Sequence, residues 1–118
     1  MTNKDIEDIA EKTIAALPEY FRGKMDNVVI LVQDKPTPSQ IRRMGKTLLG
    51  LYEGIPLAER GTGYAGAMPD KIILFRLNIE SECNDESEVP DMVAHTLLHE
   101  LAHHFGISDE ELLRSGNY

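Results

Sequence analysis

Two histidines and a glutamate in one short run, His99-Glu100-Leu101-Ala102-His103, define the chemistry open to this chain. On an α-helix, positions i and i+4 lie about 40° apart around the axis and about 6 Å apart along it. His99 and His103 can therefore aim two imidazole nitrogens at one zinc ion, whose Zn–N distances are about 2.0 Å. Glu100 points about 100° away from that pair. It is too far round to be an easy ligand on the same helix, yet it can reach a metal-bound water, where a general base is needed.

The residues after the second histidine extend the pattern. Gly106 falls where a helix begun near Asp91 would stop, and glycine takes the left-handed conformation that a sharp stop requires. A turn there can swing Asp109 back onto the metal as a third ligand, a hard oxygen donor acceptable to zinc. Two histidines and one carboxylate leave a fourth position for water, the arrangement of a catalytic zinc site and not of a structural one. Asp109 has a second role compatible with the first: Ser108 and Glu111 read as a capping box for a last short helix, with Asp109 in its first turn.

The remaining histidines and the cysteine need assignment. His95 lies one step of four before His99 on the same stripe, and reads more readily as a partly exposed helix histidine than as a group lining a cleft. His104, about 100° round from His103, is expected to be exposed near the helix C-terminus, where a cation is favoured. Cys83 is expected in the loop before this helix as a small buried apolar residue, not as a fourth ligand.

These side chains need a scaffold. Pro90 to Phe105 reads as a long helix, with proline in its first turn and a broad apolar face of Met92 or Val93, Leu97, Leu98, Leu101, Ala102 and Phe105. A first amphipathic helix is predicted from about Asp5 to Leu17, ended by Pro18, with a further short turn at Glu19 to Gly23. Asn27 to Gln33 is almost wholly apolar and β-branched, the pattern of a central strand covered on both faces. Proline marks a loop over Asp34 to Ser39, followed by a short helix over Gln40 to Leu48. Gly50 to Pro56 and Lys71 to Leu77 are strand candidates. Gly61 to Gly66 holds too many glycines for a helix; it lacks the Gly-Lys-Ser/Thr of a phosphate-binding loop and is expected to be a loop or weakly packed strand. Strands in the middle third and helices at the ends predict an α+β class with a small mixed sheet.

Composition excludes other functions. The 118 residues suffice for a single domain over 1–118. A net charge of -8 argues against nucleic acid, which needs clustered lysine and arginine. Much of the acidity, at Glu80, Glu82, Asp85, Glu86, Glu88 and Asp91, reads as a solvated approach to the positive end of the long helix. No apolar run approaches the roughly 20 residues of a membrane span, and the first residues lack the layout of a secretion signal. With one cysteine there is no internal disulfide, and a reducing cytoplasm is the expected setting.

The segments Leu48-Leu49-Gly50-Leu51-Tyr52-Glu53-Gly54-Ile55-Pro56-Leu57, Pro69 to Arg76 and His99 to Asp109 resemble a family of small bacterial zincin-like metallopeptidases. The resemblance runs from about Val28 to the C-terminus. It implies a minimal zincin-like fold, a small sheet against an N-terminal helix and a long C-terminal active-site helix. It also implies Zn2+ held by His99, His103 and Asp109, Glu100 as base, and a peptide or protein substrate. The sequence departs from metzincins after Asp109, where nine residues follow and none is methionine, so no Met-turn is expected beneath the metal. Tyr52, Tyr64 and Tyr118 are candidate hydroxyl donors to an oxyanion, and an unpaired edge strand over Gly61 to Met68 is a candidate for holding an extended peptide. The competing reading is a zinc-binding structural or regulatory module that binds a partner protein and hydrolyses nothing; a fourth protein ligand would mark it.

Overall fold

Thr2 starts the first helix. Its hydroxyl accepts the Asp5 backbone N–H while the Asp5 carboxylate accepts the Thr2 N–H, a reciprocal cap for α1 (Asn3–Ala15). The computed structural model describes residues 1–23, 27–45, 47–54 and 69–106. The expected turn at Pro56, the glycine-rich loop, the edge strand over Gly61 to Met68 and everything from Ile107 onward therefore lie outside the described residues. A short helix, α2 (Glu19–Arg22), follows α1 as expected.

Three strands form one mixed sheet in the order β1-β3-β2. β1 (Val28–Gln33) runs parallel to β3 (Asp70–Phe75), and β2 (Gly50–Glu53) runs antiparallel to it. β3 is the strand covered on both faces, with Ile72, Ile73, Leu74 and Phe75 all buried. β1, expected in the centre, is an edge strand among the described residues. Val28, Ile30 and Val32 face the core, while Val29 and Leu31 are each 38 % exposed on the other side. An apolar β-branched run shows that a strand tolerates burial on both faces. Which strand takes the middle is decided by pairing, and β3 offers one edge to β1 and the other to β2.

Two helix boundaries also differ from expectation. α3 (Pro38–Met44) starts earlier because Thr37 and Gln40 cap each other's backbone N–H groups and Pro38 occupies the first turn. After Phe75 the chain enters α4 (Arg76–Ser81) directly, so the predicted strand stops short of Leu77. Arg76 is drawn away from the sheet by hydrogen bonds to Asn3, Asp34 and Glu80.

The long helix α5 (Val89–His104) follows a 3-10 turn at Glu86–Glu88, has proline in its first turn and carries Asp91 near its positive end. Its Val89, Val93, Leu97 and Leu101 pack with Ile6 and Ala10 of α1 and with Ile72 and Leu74 of β3. Leu51, Ile73 and Phe75 form a smaller cluster of their own. Gly106 has φ 79°, the left-handed stop expected after the helix. Among the described residues no helix is long and apolar enough to cross a membrane.

Candidate metal centre

α5 presents its polar groups on two neighbouring stripes. Val89, Val93, Leu97 and Leu101 mark the buried side. Glu100 and His104, one turn apart, continue it as buried polar residues. His99 and His103 form the adjacent stripe at the rim of the core, half-buried, and His95 extends it in the exposed direction.

The His99 and His103 rings lie 4.9 Å apart centre to centre, at 67° to one another. A tetrahedral metal about 2.0–2.1 Å from one nitrogen of each ring sets the ring centres roughly 5 Å apart, so the ring spacing is that of two imidazoles on one zinc ion. Among the described residues, no group of three histidine, cysteine or acidic side chains forms a metal cage. Asp109, the expected third ligand, lies outside the described residues, as do Ser108 and Glu111. Cys83, the thiol considered as a fourth ligand, packs instead against the core, half-buried, and donates to the Ile79 carbonyl at 3.4 Å. Burial pushes its thiol pKa up, aided by neighbouring Glu88 and Asp85.

Glu100 swings back toward the histidine pair despite its helical offset. Its Oε1 lies 3.3 Å from His103 Nδ1, and its side chain is only 10 % exposed. Burial raises the carboxyl pKa above the ordinary glutamate value, and His103, His99 and the Tyr52 backbone N–H pull in the opposite direction. The Tyr52 contact follows from the sheet. Phe75 N–H donates to Leu49 O, so alternate residues of β2, Gly50 and Tyr52, turn their amides away from β3. The Tyr52 amide thereby becomes a donor to the Glu100 carboxylate.

A groove of about 360 Å³ opens beside His99 and Glu100, lined further by Met44, Leu48, Leu49, Gly50, His95 and Thr96. His95, expected mainly as a partly exposed helix residue, is exposed and also lines this groove. Gly50 lets β2 approach the helix: a Cβ there would lie 2.8 Å from Thr96 Cγ2 and 3.3 Å from Glu100 Cγ.

Two expectations are corrected here. His104 is not exposed but fully buried, with its Nδ1 2.8 Å from Asp70 Oδ2. At that position the helix faces the sheet, where Asp70 of β3 and Tyr52 of β2 cover the ring. Tyr52 does not offer its hydroxyl to an oxyanion; it donates to the same Asp70 Oδ2 at 2.8 Å. Tyr64 and Tyr118 lie outside the described residues. Sequence reasoning passed over Asp70, which falls just outside the predicted strand over Lys71 to Leu77. The available signal was an acid two residues before the apolar run Ile72 to Phe75, where a charge that becomes buried needs a partner.

In comparison with protein families, a family model described as zincin-like metallopeptidase matches residues 25–117. No curated protein matches the sequence.

Proposed function

We propose, from the premise that this chain belongs to the zincin-like metallopeptidase family, that it hydrolyses peptide bonds with His99, His103 and Asp109 as zinc ligands and Glu100 as general base. One observation carries the reading. The two ring centres stand at the spacing of a shared zinc, and a buried carboxylate leans toward them from the wall of an open groove.

Zinc, when bound, lowers the pKa of a coordinated water to about 7 and polarises a carbonyl oxygen. The chain's own residues supply the rest. Glu100, held by the Tyr52 N–H and shielded from bulk water, takes the proton from the attacking water and passes it to the leaving amine. Burial raises its pKa, the direction that helps it hold the proton until the amine leaves. The groove gives the peptide room beside His99 and Glu100, and its Met44, Leu48 and Leu49 favour apolar side chains.

Elemental analysis of the purified chain, combined with digestion of a diverse peptide pool, tests this reading. About one zinc per chain, with cleavage that falls sharply in Glu100→Gln and stops on chelation, is the expected result. A Glu100→Gln chain that retains full cleavage removes the base assignment. A chain that takes no zinc after reconstitution removes the whole reading.

A further inference from the structure

We infer that Asp70 is a positioning residue: through the Tyr52 hydroxyl and the His104 imidazole it ties β2 to α5, and so holds the Tyr52 backbone N–H on the Glu100 carboxylate. This rests on Glu100 acting as the base proposed above.

The geometry is a closed circuit. Asp70 Oδ2 accepts from Tyr52 Oη at 2.8 Å and from His104 Nδ1–H at 2.8 Å, with the Asp70 and His104 side chains 1 % and 0 % exposed. Tyr52 also meets His104 edge-on, with ring centres 5.9 Å apart. Tyr52 stands opposite Ile72 in the antiparallel pair, so Asp70 is its diagonal neighbour on the same face of the sheet, the face α5 covers. Glu100 and His104 are one turn apart on the stripe of α5 that meets this face. Tyr52 is thus fastened to two successive turns of one helix, by its main chain to Glu100 and by its side chain, through Asp70, to His104.

Burial makes this circuit rigid. A carboxyl taken out of water is stable only where donors meet it, so Asp70 fixes both its partners in place. Gly54 closes over it, since a Cβ at that position would lie 2.5 Å from the Asp70 carboxyl carbon. One attachment alone would let β2 slide along or roll against α5. Two attachments set the direction of the Tyr52 N–H, and with it the direction of the Glu100 carboxylate.

The test uses the full ¹⁵N-labelled chain, with and without zinc, as native protein, Asp70→Asn and Tyr52→Phe. Amide hydrogen exchange at Tyr52 is compared with that of the ladder-protected amides of β1 and β3. In both variants the Tyr52 amide should exchange about tenfold faster relative to those references, the factor for one lost hydrogen bond of ordinary strength. Zinc affinity should stay within about threefold of native, because neither residue touches the ligand pair. Tyr52→Phe removes only a hydroxyl and keeps the test decisive if Asp70→Asn fails to fold. If Tyr52 exchange rises only in step with the β1 and β3 amides, Asp70 serves general stability and the inference fails. The exchange measurement on zinc-free protein decides this even if the metal reading fails, so the two failures are told apart.

Discussion

Gly50 and Thr96 hold β2 and α5 so close that no side chain fits between them: a Cβ on Gly50 would come within 2.8 Å of Thr96 Cγ2. Thr96 has little freedom to retreat, because its hydroxyl donates to the Met92 carbonyl at 2.8 Å. Gly50→Ala should therefore force β2 away from the helix and destabilise the chain by about 1–3 kcal/mol, the usual cost of overpacking. Urea unfolding of the two proteins measures this. Unchanged stability would mean that the contact relaxes without cost.

The Glu100→Gln variant should separate activity from stability. Hydrolysis should fall by about 10²–10⁴, the contribution of a positioned acid–base group, while zinc still binds. In zinc-free protein the same change should raise stability at neutral pH. Burial raises the folded pKa of Glu100, so its favourable contribution is complete below the unfolded glutamate value and is lost as pH rises through the folded value. The variant has no charge to bury at any pH. Its advantage in melting temperature should hence be absent in acid and grow toward neutrality. A constant difference across that range would contradict the burial argument.

Removing Asp109 should affect metal binding. Deleting a partner of a ligand costs 10–100-fold in affinity, so loss of a ligand itself in Asp109→Ala should exceed about a hundredfold. Competition with a chromogenic chelator measures this. A variant with native affinity would leave Asp109 only the other role expected from the sequence, a negative charge in the first turn of a last short helix.

The edge position of β1 among the described residues makes a contrast between two neighbours in the sheet. Leu31 pairs with Ile73 across the β1–β3 ladder, yet Leu31 is 38 % exposed and Ile73 only 3 %. Leu31→Lys should change stability by under about 0.5 kcal/mol, as surface substitutions do. Ile73→Ala should cost about 2–5 kcal/mol. Equal losses at the two positions would restore β1 to a strand covered on both faces.

Much of this protein is written locally in its sequence. The i, i+4 spacing of His99 and His103, the proline opening and glycine closing of α5, and the apolar runs of β1 and β3 all rest on helical pitch, backbone torsion and burial within a few residues. The α+β class and the mixed sheet follow from the order of those segments. The tertiary structure decided what depends on contacts between distant segments. It placed β3 and not β1 at the centre, because strand order is a matter of pairing that composition does not encode. It buried His104, whose helical angle alone pointed to solvent, because the sheet covers that turn. It also joined Asp70, Tyr52 and His104, from three separate elements, around one carboxylate oxygen. No local pattern names the partners of Asp70, because a buried charge is stable only through groups that the fold brings to it.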